Sequence, residues 1–387
     1  MALRPETDSI PHGPGAALLV RRARIAAVFL VAGAGAVACA LAVNACGVRA
    51  PDSHGDENLP NAKAGPFRVL RAGEAPPQDR TMPYALRRKG TRDPCALDID
   101  GNPATPDVRL YVAASDRSYP HGPPVAILTF EAADGRSFDP RTEDATVLVP
   151  SEAWEEGRVG APSVLRVGSQ IWMYYDAAGG IGLARSDDGL HFTKVPVPVL
   201  TSDASVAWEE GATPSEPSVV QLDDGSFRMF YVAASSIGEA RSFDGKRWER
   251  VAGGPAISPV APPDFPTPDA DSVYEPIDDV RVSGPFAVMG TSSLGRRILR
   301  VYYAGLNRIG LWSLGLAARY DGDGVLQRAY GPVLGNLYAP KGPSVLFFDD
   351  FTLLWFTAPE DRTKPDSAPA IGEGVAPATV SLQLPRF

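Results

Sequence analysis

The residues with the most chemical promise are acids placed directly before prolines. These are Asp93-Pro94, Glu216-Pro217 and Glu275-Pro276, the last followed closely by Asp278 and Asp279. A carboxylate alone ionises easily, but neighbouring carboxylates push their pKa values apart, so that one holds a proton while the other stays charged. A proton donor and a proton acceptor facing one bond are the equipment of general acid–base cleavage, and of glycosidic cleavage in particular. The three sites are far apart in the chain, so this chemistry requires a fold that returns each of them to one place.

Such a fold is legible as a repeat. Residues 153–192 and 207–248 share one order: Ala-Trp-Glu-Glu-Gly, Pro-Ser-Val, an apolar-aromatic run, Ile-Gly-x-Ala-Arg-Ser, then Asp-Gly and an aromatic. Trp154 to Trp208 and Asp188 to Asp244 set a period of about 55 residues. In the first copy the runs 165–167, 171–175, 182–186 and 192–195 are apolar, β-branched or aromatic and are broken by Gly and Asp. Asp188-Gly189 and Asp244-Gly245 read as hairpin turns, because glycine supplies the positive φ such turns need. Four strands per copy without helical periodicity is the pattern of a propeller blade, with a sandwich of two similar sheets as the alternative.

Traced outward, Pro94, Pro162, Pro217, Pro276 and Pro343 open five copies, and each first strand leads to an apolar or aromatic second strand such as LYVAAS or FRMFYVAA. The expected fold is all-β: a five-bladed propeller of four-stranded antiparallel blades over residues 66–387. ATVSLQL near the C-terminus would pair with a strand at residues 67–70 to close the ring. Innermost strands line a propeller channel, so Asp93, Ala161, Glu216, Glu275 and Gly342 should ring one mouth. Trp154 and Trp208 are candidate sugar-stacking platforms or packing residues at blade junctions. Arg281 and Lys341 are candidates for binding hydroxyls or an anionic sugar, or else surface charges.

At these residues the chain resembles the five-bladed glycosidases of family 43, the arabinofuranosidases and xylosidases, with the invertase and levansucrase clan behind them. The resemblance implies a base in the blade-1 Asp-Pro (Asp93), an Ala-Pro in blade 2 (Ala161), and a blade-3 acid that orients and tunes (Glu216, where the family has Asp). It also implies a general acid in a blade-4 Glu-Gly-Pro, for which Glu275 is the candidate. Glu275 lacks the following Gly, which leaves Asp278 or Asp279 as alternatives. The family's blade-5 channel His has no counterpart around Lys341-Gly342-Pro343, so no metal is expected. SDDGLHF also resembles the sialidase Asp-box, but it lacks the residue between Asp and Gly and reads as a structural turn.

Before the propeller, residues 1–24 are polar and end in Arg21, Arg22 and Arg24; residues 25–46 form an apolar run closed by Cys46, and 47–65 are a Pro/Gly-containing polar linker. Length and flanking cations fit an export signal or a membrane anchor. Val43-Asn44-Ala45-Cys46-Gly47 resembles a lipobox with Cys46 as the lipidated residue, and Arg21-Arg22 weakly resembles a twin-arginine signal. Both place the domain in the cell envelope. Of three cysteines only Cys95 falls in the propeller region, so there is no disulfide framework. A net charge of −9 argues against a nucleic-acid partner. Only His121 and His191 lie in the propeller region, and P-loop, G-x-S-x-G and CxxC motifs are absent, so no cofactor is expected. The reading that follows is an envelope-anchored, inverting glycoside hydrolase acting on an oligo- or polysaccharide. Transfer to phosphate or another sugar is a close variant, and a non-catalytic surface propeller that binds glycan or protein is the alternative.

Overall fold

The computed structural model describes residues 67–69, 84–86 and 88–377, apart from 137, 139–144, 261–276, 292–295, 321–323, 330, 362–363 and 365. The N-terminal region, the apolar segment with Cys46, the linker and Glu275 lie outside the described residues.

Five antiparallel sheets make up the fold: four are simple four-stranded meanders, and the fifth adds the N-terminal strands Arg68–Val69 and Tyr84–Leu86 to three C-terminal ones. Their innermost strands are Thr91–Asp98, Gly160–Val167, Ser215–Gln221, Arg281–Thr291 and Lys341–Phe347. Each of these strands contacts the innermost strand of the next blade, and the fifth contacts the first, which makes a closed ring. Blade 5 is completed by the N-terminal strand Arg68–Val69, paired with Pro369–Pro377. The expected partner, ATVSLQL, follows that strand and lies outside the described residues. The N-terminal segment thus fastens the last blade to the start of the propeller and leaves only a short strand at its outer edge.

Second strands such as Gln170–Ala177 and Phe227–Ala233 sit mid-sheet and are covered on both faces by neighbouring blades, which is why they read as near-continuous apolar runs. Their tyrosines are core residues with satisfied hydroxyls. Tyr111 donates to the Gly189 carbonyl (2.8 Å) and Tyr174 to the Gly245 carbonyl (2.6 Å), so blades 1 and 2 each grip the Asp-Gly turn of the next. Within that turn Asp188 Oδ1 accepts from the N–H groups of Leu190 and His191 at 2.8 and 2.9 Å, a structural role.

The prolines mark one repeated irregularity. Proline has no N–H for the ladder, so in a strand it sits at a bulge or an edge. The pairing register breaks between Arg92 and Cys95, Gly160 and Ser163, Ser215 and Ser218, Ser283 and Phe286, and Lys341 and Ser344. Blade 4 therefore opens at Pro285, which corrects the expectation of Pro276. The residue before each proline has positive φ: Asp93 51°, Ala161 40°, Glu216 49°, Gly284 55° and Gly342 50°.

The residue after each proline ties the blades together. Cys95 Sγ accepts from Val164 N–H (3.2 Å), Ser163 Oγ from Val219 (2.9 Å), Ser218 Oγ from Ala287 (2.7 Å) and Ser344 Oγ from Ala96 (2.9 Å). Blade 4 has Phe286 at this position and so lacks the acceptor.

Candidate active site

The bulges turn five residues, one from each blade, toward one opening. Asp93, Ala161, Glu216, Gly284 and Gly342, with their prolines, line a cavity of about 30 Å³. That volume suits one or two waters, not a sugar ring. A larger ligand would therefore have to rest above this cavity.

Asp93 is held by the neighbouring blade, its N–H donating to Thr357 Oγ1 at 2.7 Å. Gly342 presses on it: a Cβ there would lie 3.2 Å from Asp93 Oδ1. Glu216 Oε2 accepts from Gly284 N–H at 2.6 Å. A third carboxylate, Asp176, accepts from Glu216 N–H at 3.3 Å. Asp176 pairs across the strand with Gly160, whose missing side chain makes room for it, since a Cβ would come within 2.8 Å of Asp176 Oδ1. Sequence reading overlooked Asp176. In the same register row the other second strands carry Ala113, Val232, Ala304 and Thr357, so an acid there stands out, but only once the register is known.

These groups shift one another. Burial, then the charges of Glu216 and Asp176, push Asp93 up to about 7, against the opposing pull of Arg92 and Lys341. Glu216 is raised by burial and by Asp176, with the Gly284 N–H, Arg281 and Lys341 opposing. Asp176 is raised by burial, opposed by the Glu216 N–H and Arg158. Carboxylates arranged in this way can hold a proton near neutral pH and exchange it with a bound group. Of the cations, Arg92 also anchors a loop through Ser115 Oγ (2.7 Å) and the Gly122 carbonyl (2.8 Å). Arg158 donates to the Ala177 carbonyl at 3.2 Å.

Other candidates stand elsewhere. Asp278 is buried, accepting from Tyr303 Oη (2.7 Å) and Arg328 Nη1 (2.9 Å). The same device recurs with Glu155, bound by Tyr175 (2.8 Å) and Lys194 (2.6 Å), and with Glu209, bound by Tyr231 and Arg250 (both 2.7 Å). Asp278 is therefore a repeated structural ion pair and does not line the cavity; Asp279 pairs with Arg308. The Trp-Glu-Glu-Gly repeat has the same explanation. Trp154 stacks on Tyr175 at 6.0 Å and Trp208 leans on Tyr231 at 6.0 Å, packing over that ion pair; neither lines the cavity. At the blade-4 mouth the residues are Ser283-Gly284-Pro285, so a hydroxyl occupies the place of the glutamate in Glu-Gly-Pro. Arg281 opens this strand and Lys341 opens that of blade 5, both exposed and both within electrostatic reach of Glu216.

No protein-family model matches this sequence, and no curated protein matches it. Solved structures do. A protein from Parabacteroides distasonis assigned as a glycoside hydrolase superposes with a TM-score of 0.57 at 15% identity, over 84% of this chain and 98% of its own. A structure of the GH130 family, described as mannoside phosphorylases containing glycoside hydrolases that target β-1,2 mannosidic linkages, gives 0.55 at 15% identity over 81% and 95%. The GH43_1 enzyme from Xanthomonas citri, complexed with xylotriose, gives 0.52 at 16% identity over 77% and 91%. Shared shape at such identities is a statement about fold: the chain is a five-bladed β-propeller similar to those of GH43 and GH130 glycoside hydrolases.

Proposed function

We propose that this protein acts on a glycosidic bond at the channel mouth, cleaving it with inversion. Asp93 is the base that takes a proton from the attacking water. Glu216, fixed by the Gly284 N–H, sets the charge state of Asp93, and the proposed acid is Glu275, which precedes the blade-4 bulge by nine residues of sequence and lies outside the described residues. The observation that carries the reading is the convergence of Asp93, Asp176 and Glu216, from three blades, with Asp93 raised to about 7. A base works best when its pKa lies near the working pH. Inversion calls for an acid–base separation of about 6.5–9.5 Å, which leaves room for water. In the same proposal, residues 25–46 and Cys46 hold the protein at the cell envelope, where its substrate is an oligo- or polysaccharide.

A second reading, a glycan-binding propeller without catalysis, is favoured by Ser283, which cannot serve as the acid. Hydrolysis of a panel of aryl-glycosides and oligosaccharides by wild type, Asp93→Asn and Glu275→Gln separates the two. Turnover by wild type, reduced at least about 100-fold in both variants, supports the enzyme. Equal background rates with retained glycan binding support the binder.

A further inference from the structure

The mouth carries more positive charge than its carboxylates use. Around Asp93, Asp176 and Glu216 stand Arg92, Arg158, Arg281 and Lys341, in a protein whose net charge is −9. Arg92 and Arg158 are spent on a serine hydroxyl and main-chain carbonyls. Arg281 and Lys341 are different: both are exposed, and they meet the carboxylates through longer-range attraction, Lys341 to Asp93 and Glu216 and Arg281 to Glu216.

Two observations bring these cations to one seam: Lys341 feels the charge of Arg281, and Gly284, three residues after Arg281, abuts Gly342, the neighbour of Lys341. In blade 4, Arg281 pairs with Leu306, and Leu306 with Trp312, so the three form one row across the end of the sheet. Lys341, from blade 5, lies over the Trp312 ring with Nζ 4.5 Å from its centroid. The ring confines the lysine stem and steadies its ammonium group by cation–π attraction. Lys341 immediately precedes Gly342, which abuts Asp93, and its cross-strand partner Thr357 holds the Asp93 N–H. The pair of cations thus flanks the blade 4–5 seam, beside the acids and facing solvent.

We propose that Arg281 and Lys341 form an oxyanion subsite, and that the saccharide taken at this mouth carries a carboxylate, as a uronic acid does. This rests on the reading of the protein as one that acts on or binds saccharides, and it adds the class of saccharide. A neutral sugar offers these two cations only hydroxyl and ring oxygens as acceptors, whereas a carboxylate accepts from both as an anion, and charge-assisted hydrogen bonds are about twice as strong as neutral ones. Free phosphate shares the oxyanion chemistry, so a test must separate the two sources.

The experiment is calorimetric titration of the full chain, in an Asp93→Asn background to stop turnover, with xylotriose, with xylotriose bearing a glucuronic acid branch, and with inorganic phosphate. The acidic sugar is expected to bind roughly ten-fold more tightly than the neutral one at low salt, with the advantage shrinking as salt is added. Lys341→Met, which keeps the stem over Trp312, and Arg281→Gln should each remove most of that advantage, read as the ratio of the acidic sugar's affinity to that of xylotriose, and Lys341→Arg should restore it. Equal affinity for the two sugars overturns the inference and leaves the saccharide reading standing. Phosphate binding that depends on Lys341 and Arg281, without preference between the sugars, overturns it in favour of free phosphate. Failure of either sugar to bind counts against the functional reading as well.

Discussion

Glu216 of blade 3 accepts a hydrogen bond from the N–H of Gly284, the residue that holds the same bulge position in blade 4 (2.6 Å). An acid at one opening is thereby oriented by the backbone of the next. The geometry depends on positive φ at each opening, which costs a non-glycine residue about 1–2 kcal/mol. Ala161, at φ 40°, bears that cost with no functional group to justify it. Ala161→Gly should therefore stabilise the protein by up to about 1 kcal/mol in chemical denaturation. Gly284→Ala should do the reverse and more, because its Cβ would come within 2.8 Å of the Gly342 backbone.

Stability should fall as pH rises from about 4 toward 8. Asp93 and Glu373 are held up to about 7 and about 8, in both cases chiefly by burial. An acid whose folded pKa exceeds its unfolded value binds its proton more tightly when folded, so the cost of ionising it is absent below the unfolded pKa and complete above the folded one. Denaturation midpoints at pH 5 and pH 8 test this. Asp93→Asn and Glu373→Gln should each flatten the slope and raise stability at pH 8, and an unchanged slope in both would refute the assignment.

The repeated ion pairs should be structural, with unequal partners. Glu209 is fully buried and bound by both Arg250 and Tyr231. Removing the cation in Arg250→Met leaves a buried charge uncompensated and should cost about 3–5 kcal/mol. Tyr231→Phe removes one hydrogen bond and should cost about 1 kcal/mol. Thermal melts of both variants measure the ranking.

The architecture was readable in the sequence because each blade repeats a proline bulge and a buried second strand, and four of the five an Asp-Gly pair. Asp93 and Glu216 could be placed at one mouth for the same reason. Blade 4 was misassigned because Glu275-Pro276 mimics an opening, whereas the true bulge at Gly284-Pro285 is followed by Phe286 in place of the usual small residue. Asp176 escaped notice because its importance lies in a cross-strand pairing with Gly160, which linear order does not display. Trp154 and Trp208 look like sugar platforms in sequence, but their repetition reflects packing over the buried Glu155 and Glu209 pairs.

The coupling of acids from different blades is the claim on which the rest stands, and carboxyl-carbon NMR titration of Asp93 measures it directly. The account predicts a midpoint near 7 in the wild type that moves clearly downward in Glu216→Gln, since removing that charge removes part of what holds the proton on. A midpoint near the ordinary aspartate value of about 4, unchanged by Glu216→Gln, would contradict it.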